Sequence, residues 1–352
     1  MRKTLLGVSL FLIFGLVLTF AGPVHAGKNI FKVQSGLPTV LPVLGSNVNW
    51  ISEKVDAATG GEIIMKVYEP GKIVGPMEIL EAVSKGQIDA GYGPSGFWEG
   101  KMSGAAFFTA VPFGPEAPEY IAWMYHGNGL KLYQEMYDQG GYNVKVFPAV
   151  ILSPETSGWF RKPIKSPDDL KGLNMRFFGL GGKVMQRLGV SVSLLPGGEV
   201  FPALERGAID ATEFSMPIVD QRLGLYKIAK YNYFPGWHQQ ATINELLINK
   251  DKWNALSKSQ QTIIEMVCMA AMTESIAASE SGQGKIVKEN HEKWGVNNVY
   301  WSKEMLNLFY KTWIEVAEEE SKKDAFFKKV WDDLSAFRAE YKEWSSVGFL
   351  PR

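Results

Sequence analysis

The sequence predicts an α/β protein built of two similar lobes, and three observations lead there. Its 352 residues exceed what one hydrophobic core usually supports. Strand and helix patterns alternate along most of the chain, the rhythm of a largely parallel sheet. The third observation is an internal echo. Glu78–Ala90 reads E-I-L-E-A-V-S-K-G-Q-I-D-A and Glu199–Ala211 reads E-V-F-P-A-L-E-R-G-A-I-D-A; at a constant offset of 121, six of thirteen positions are identical. Each copy reads as an amphipathic helix, a glycine in a left-handed cap and a short buried strand. Two related lobes put equivalent strand ends across a cleft, a favoured place for a ligand.

Residues 1–26 read as an export signal. Arg2 and Lys3 precede an uncharged apolar run from Leu5 to about Phe20, Pro23 breaks it, and Val24-His25-Ala26 offers a small residue for cleavage. The run is short of the ~20 residues a membrane span needs, and no cysteine stands near to carry a lipid. Cleavage leaves 35 basic and 37 acidic side chains. No later segment reads as long and apolar enough to cross a membrane, so the mature chain is expected to be exported.

Within the mature chain, Ile30–Ser35 alternates as a strand, Leu44–Ala58 reads as a helix, Ile63–Tyr68 as a strand, Met77–Ser84 as a helix closed by Gly86, and Ile88–Gly91 as a strand. Two helices follow, Pro118–His126 and Leu130–Gln139, and the strand Val144–Ile151 leaves the lobe. In the second block Gly158–Arg161 is extended, Ser166-Pro167-Asp168-Asp169 caps a short helix, and strands at Leu173–Phe178, Val190–Leu195 and Ile209–Glu213 alternate with helices at Lys183–Leu188 and Val200–Arg206. Ser257-Lys258-Ser259-Gln260 opens a helix running to about Trp294. At ~1.5 Å per residue it reaches ~55 Å, so it touches both lobes or kinks near Gly282. A last helix, about Lys322–Trp344, carries Phe327, Val330, Trp331, Leu334, Phe337, Tyr341 and Trp344 at three-to-four spacing, a stripe for its own core or for a homodimer interface. The expected division is residues 27–152 and about 214–250 in lobe I, 153–213 and about 251–320 in lobe II, and 322–352 as a C-terminal helix.

Composition excludes several classes. Hydrophobic residues make up 46% and charged residues 21%, as in ordinary globular proteins, so disorder is excluded. Thirty-seven basic and 37 acidic side chains give no net charge, and so no support for a nucleic-acid partner. The lone Cys268 allows no intrachain disulfide, and the four histidines lack zinc-motif spacing. Gly179-Leu180-Gly181-Gly182 lacks the third glycine of a dinucleotide fingerprint, with Val184 in its place. Gly93-Pro94-Ser95-Gly96 lacks the frame of a nucleophile elbow.

What remains is binding chemistry. Arg176 ends a strand beside Phe177 and Phe178, where a guanidinium can clamp a carboxylate with two parallel hydrogen bonds. Glu213-Phe214 leaves the strand of the second echo at the expected cleft edge. His238 and Gln239 follow Phe234-Pro235-Gly236-Trp237, a turn presenting polar tips beside aromatics, and Tyr92, Trp98 and Trp159 offer apolar walls. An alternative is a secreted hydrolase using Glu155 and Glu213 as paired carboxylates.

The stretch L-P-G-G-E-V-F-P-A-L-E-R-G-A-I-D-A-T-E-F (Leu195–Phe214), with G-W-F-R-K-P (Gly158–Pro163), N-M-R (Asn174–Arg176) and Y-N-Y-F-P-G-W-H-Q-Q (Tyr231–Gln240), resembles the solute-binding proteins of tripartite ATP-independent periplasmic (TRAP) transporters, in the branch that takes 2-oxo acids and related carboxylates. The resemblance covers essentially the whole mature chain. It implies a periplasmic protein of two α/β lobes spanned by a long helix, closing on an organic anion and delivering it to a membrane permease driven by an ion gradient. Position by position it implies that Arg176 pairs with the substrate carboxylate. Glu213, the Phe214 carbonyl and Gln239 would hold a Ca²⁺ or Na⁺ ion bridging substrate and protein. Glu155 stands where the branch commonly has glutamine. The extra negative charge favours Ca²⁺ over a monovalent ion; the alternative is no metal, with Glu155 bonded to a substrate hydroxyl or paired with Arg161.

Overall fold

The computed structural model describes residues 28–350, and the expected export signal lies outside them. In chain order, β1 (Asn29–Ser35), α1 (Asn47–Ala58), β2 (Ile63–Tyr68), α2 (Ile79–Ser84) and β3 (Ala90–Gly93) form the expected first run. Then come α3 (Ala117–His126), α4 (Gly129–Gln139), β4 (Val144–Leu152), β5 (Gly158–Phe160), β6 (Asn174–Arg176), α5 (Gly179–Arg187), β7 (Ser191–Ser193), α6 (Gly197–Glu205) and β8 (Ala211–Thr212). The chain continues through α7 (Pro217–Leu223), β9 (Tyr231–Phe234), β10 (Thr242–Asn249), α8 (Lys250–Asn254), α9 (Lys258–Trp294), β11 (Asn297–Tyr300), α10 (Lys303–Lys323) and α11 (Ala325–Gly348).

Two sheets result. Lobe I carries the order β2-β1-β3-β10-β4, and lobe II the order β7-β6-β8-β5-β9-β11. In each, three parallel strands are followed by one that runs against them, β10 or β5, and then by one antiparallel to that, β4 or β9, so the lobes repeat one plan. The chain passes between them from β4 to β5, back from β9 to β10, and again through α9 to β11. This corrects the expected division: of 214–250, strand 231–234 is hydrogen-bonded within lobe II and only 242–249 within lobe I.

The echo has a physical counterpart. Gly86 and Gly207 both cap their helices at positive φ, +70° and +73°. Asp89 and Asp210 then enter β3 and β8, and each carboxylate accepts a backbone N–H from the parallel neighbour, Lys32 at 2.8 Å and Asn174 at 3.0 Å. The Asp89 and Asp210 N–H groups donate back to the Lys32 and Asn174 carbonyls, and both aspartate carbonyls accept from the antiparallel strand, Asn249 and Arg161 respectively. The identical aspartates thus pin one corner of each sheet.

α9 runs unbroken for 37 residues from a Ser257–Gln260 capping box to Gly295. Gly282 does not kink it; a Cβ there would come within 2.8 Å of Ile218 of α7, so the glycine permits close approach instead. Ile264, Val267, Cys268, Ala271 and Met272 are buried, and the helix packs on α1 and β4 of lobe I and on α7 and β11 of lobe II. By length and composition α9 is also apolar enough to cross a membrane, contrary to expectation; burial of its apolar face on both lobes accounts for that composition. The final helical region is two helices, not one. Asp324 ends α10, and its carboxylate accepts the Phe326 and Phe327 N–H groups to start α11. The α11 stripe begins on its own chain: Phe327, Val330 and Leu334 are buried, Phe327 packs at a tilt against Phe107, and Asp333 accepts from Trp123. Trp344 and Val347 at its end are exposed.

One buried group in lobe I makes stability pH-dependent. Glu245 of β10 accepts hydrogen bonds from Trp98, Tyr133 and Tyr137 and has no salt bridge among the described residues. Burial pushes its carboxyl from 4.5 up to about 7, against the three donors. The folded state therefore holds a proton that the unfolded chain has lost between those values, and stability falls as pH rises across the window, by ~3 kcal/mol in all. Glu245→Gln should flatten that fall in urea unfolding between pH 5 and 7.5; an unchanged slope would assign the proton elsewhere.

Candidate functional site

The site forms where the first two crossovers meet the ends of the lobe II strands. Arg176 is the last residue of β6, and Glu213 follows β8 beside it, both at carboxyl ends of parallel strands. Glu155 lies on the crossover from β4 to β5, and His238 and Gln239 on the one from β9 to β10. The crossovers are bonded together, Glu155 N–H to the Gln239 carbonyl at 3.1 Å and Ser157 N–H to the Tyr233 carbonyl at 2.7 Å. Gly236 makes this possible, because a Cβ there would sit 2.2 Å from the Glu155 carbonyl oxygen.

Arg176 Nη1 donates to Glu213 Oε1 at 2.6 Å and to the Glu213 carbonyl at 2.8 Å, while Nε reaches the Leu195 carbonyl at 3.3 Å. Nη2 has no bond among the described residues. The guanidinium therefore offers one nitrogen, Nη2, to a ligand rather than the expected pair of parallel bonds from two, because its other donors orient Glu213 and the Leu195 loop. The Phe178 N–H also donates to Glu213 Oε1. Burial pushes the Glu213 carboxyl up, but Arg176, His238 and the Phe178 N–H together outweigh it and hold it below its usual range. Glu155, fully buried with only Thr242 donating to Oε1 at 3.2 Å, is pushed up by burial. It does not pair with Arg161, which donates to the Leu204 carbonyl.

The atoms left over define the chemistry. Among the described residues, Glu155 Oε2, Glu213 Oε2 and Gln239 Oε1 are buried with no hydrogen-bond donor, and both ring nitrogens of His238 are buried with no hydrogen-bond partner. His238 Nε2 lies 3.6 Å from each carboxylate oxygen, and the ligand atoms of Glu155, Glu213 and His238 fall within 4.8 Å of one another. Burial lowers the affinity of His238 for a proton, but the two carboxylates outweigh it and raise the group to about 9. Converging acceptors without donors are what a buried cation satisfies, and three of them are the oxygens a hard cation prefers. Asp220 braces the corner from behind, accepting from Trp159 Nε1 at 2.7 Å and Ser215 N–H at 3.0 Å.

The enclosed space is only ≈ 40 Å³, far below the ~300–1,000 Å³ of a drug-sized site. Of the residues named from the sequence, Glu155, Arg176, Phe178, Phe214 and Gln239 line it. His238 lies against it through the two carboxylates. Three expected walls do not line it: the Trp159 indole is spent on Asp220, that of Trp98 on Glu245, and the Tyr92 hydroxyl on the Leu44 carbonyl. The lobe I ring that lines the cavity is Phe97, one residue before Trp98, set edge-on to Phe178 of the other lobe at 5.9 Å. Sequence reasoning also missed Leu37, Leu44, Thr242 and Asn244; the last two stand two apart on β10, a strand buried on both faces whose sequence does not alternate. Lys183 of lobe II bridges Glu99 of lobe I at 3.0 Å, so the lobes are closed on each other. A larger cavity of about 590 Å³ lies under the end of α11, but its guanidinium, Arg338, is already paired with Glu119 and the Phe113 and Gly114 carbonyls.

The family model for bacterial extracellular solute-binding proteins, family 7 (DctP), matches residues 42–324. The chain belongs to that family. It is 37% identical over 332 residues to the monocarboxylate 2-oxoacid-binding periplasmic protein of Nostoc sp. strain PCC 7120, covering 92% of this chain and 90% of the relative. Among solved structures it is similar to a TRAP solute-binding protein of Bordetella bronchiseptica with copurified calcium and picolinate, at a TM-score of 0.88 and 28% identity over 92% of this chain and 95% of the other. It is likewise similar to one of Colwellia psychrerythraea with bound calcium and pyruvate, at 0.87 and 30% over 91% and 97%, and to one of Pseudoalteromonas atlantica with sodium and pyruvate, at 0.86 and 30% over 90% and 96%. Membership in a DctP-type family makes the chain an extracytoplasmic binding protein and not an enzyme. The hydrolase alternative falls with it. Geometry agrees: glycoside hydrolysis leaves ~5–9.5 Å between carboxyl groups for the bond being cut, whereas an imidazole sits between Glu155 and Glu213.

Proposed function

We propose that this DctP-family protein captures a small 2-oxo or 2-hydroxy monocarboxylate together with a Ca²⁺ ion and, closed around both, delivers the acid to a TRAP permease from the periplasm, reached through a cleavable signal at residues 1–26. One observation carries the reading: Glu155 Oε2 and Glu213 Oε2 lie close together without a donor among the described residues, Gln239 Oε1 is likewise buried and unpartnered, and Arg176 keeps Nη2 unbonded beside Glu213. Glu155, Glu213, Gln239 and the Phe214 carbonyl would hold the ion, which supplies positive charge to a carboxylate and its neighbouring oxygen. Arg176 meets the same carboxylate from lobe II, while Phe97, Leu37 and Leu44 of lobe I exclude water. Residues of both lobes touch the ligand only when closed, so its differential affinity shifts the hinge equilibrium toward the closed state. The pyruvate and picolinate of the similar structures, and the 2-oxo acids named for the Nostoc relative, support this class.

A thermal-unfolding screen over monocarboxylates in Ca²⁺ buffer tests it. A true ligand at 100 times its Kd stabilises the folded state by ~2.7 kcal/mol. If no 2-oxo or 2-hydroxy monocarboxylate raises the midpoint while a dicarboxylate, sugar or amine does, the reading is wrong.

A further inference from the structure

We propose that Asn244 forms a polar subsite that selects acids carrying a hydroxyl group on C3, the carbon beyond the 2-oxo or 2-hydroxy carbon. The inference rests on the carboxylate-binding reading above and narrows it. The lobe I face of the cavity is formed by Leu37, Leu44, Pro94 and Phe97, and Asn244 interrupts that apolar wall. The residue is fully buried.

Its amide orientation is fixed by its neighbours. Nδ2 donates to the Leu44 carbonyl at 3.3 Å and to the Tyr92 hydroxyl at 3.5 Å. Tyr92 spends its own proton on that same carbonyl at 2.8 Å. A carbonyl can only accept, so turning the amide over would set two acceptors against each other. Oδ1 therefore faces away from this pair, and it is buried with no donor.

Position says which part of a ligand meets it. Thr242, two residues earlier on the same face of β10, is bonded to both Glu155 and Gln239. One strand repeat, ~6.7 Å, carries Asn244 past that corner along the wall. Arg176 and the Glu155–Glu213–Gln239 corner engage the carboxylate and its adjacent oxygen, so the substituent on C3 is what reaches lobe I. A methyl group there gains a little apolar contact with Leu37 and Phe97, but leaves Oδ1 unpaired; the lost hydrogen bond outweighs one methyl's worth of burial. A hydroxyl donates to Oδ1 and removes the penalty.

Hydroxypyruvate and 2-oxobutanoate differ only in a hydroxyl or a methyl on C3, and calorimetry of both in Ca²⁺ buffer tests the subsite. The native chain should bind hydroxypyruvate roughly 10- to 100-fold more tightly. Asn244→Leu should bring the ratio to one or invert it, and Asn244→Ser, which keeps an acceptor and guards against misfolding of the leucine variant, should retain part of the preference. Equal or tighter binding of 2-oxobutanoate by the native chain, or an unchanged ratio in the leucine variant, overturns the subsite. Pyruvate, with neither group, separates the two readings: pyruvate bound without a hydroxyl preference defeats the subsite alone, and no 2-oxo acid bound at all defeats both.

Discussion

Arg176→Ala should lower affinity for a 2-oxo monocarboxylate at least 100-fold in calorimetry, with the chain still folded by thermal melting. Two losses combine. The ligand carboxylate loses the only cationic side chain among the residues lining the cavity, and a buried anion without a counter-charge is heavily penalised. Glu213 also loses the guanidinium that holds Oε1 at 2.6 Å, so its second oxygen is no longer aimed at the cluster. Arg176→Lys separates the two. It keeps a charge but cannot reach the Leu195 carbonyl and both Glu213 oxygens at once from one ammonium. Its loss should therefore be intermediate, since the lysine charge can still face the acid. A change of less than threefold in the alanine variant would mean that the guanidinium serves only to brace Glu213, and that the acid sits elsewhere.

The lobes were readable in the sequence because the echo reports a backbone requirement. Helix, left-handed glycine and strand-opening aspartate recur, and both aspartates tie three strands in the same way. The same offset of 121 that relates Asp89 to Asp210 also relates Tyr92 to Glu213, so one strand end became a wall support and its counterpart a charged corner. Arg176, Glu213 and Gln239 stood at legible places, a strand end, a strand exit and a Gly-Trp turn. Side-chain direction was less legible. Trp98 and Phe97 are adjacent aromatics in a tight turn, and only the buried Glu245, far away in sequence, decides that the indole turns inward. Trp159 is drawn back in the same way by Asp220. The lobe boundary failed for a related reason: which sheet β9 joins depends on its pairing with β5 and β11, contacts that no local pattern carries.

Stripping divalent ions with a chelator should weaken binding of a 2-oxo monocarboxylate at least 30-fold, with Ca²⁺ restoring it and Na⁺ at matched ionic strength failing to do so. The argument is one of charge. Arg176 contributes one positive charge, and Glu155, Glu213 and the bound carboxylate three negative ones, all out of reach of water. With His238 neutral, a divalent ion brings that set to neutrality, whereas a monovalent ion leaves a buried net charge that only a retained His238 proton would offset. Ca²⁺ also accepts the six or more oxygens that two carboxylates, an amide, a backbone carbonyl and a chelating acid can present. Without the ion, His238 partly fills the gap: raised to about 9 by its two carboxylates, it is an imidazolium at neutral pH. A cation among the same oxygens removes the cause of that rise, so Ca²⁺ binding near pH 7.5 should release close to one proton, read as heats that differ between buffers of unlike ionisation enthalpy. Glu155→Gln then provides the sharpest contrast. With one negative charge fewer, Na⁺ suffices for neutrality, and the variant should bind the acid in Na⁺ buffer after chelation while the native chain does not. Identical Ca²⁺ dependence in both proteins would show that charge balance at Glu155 does not choose the ion.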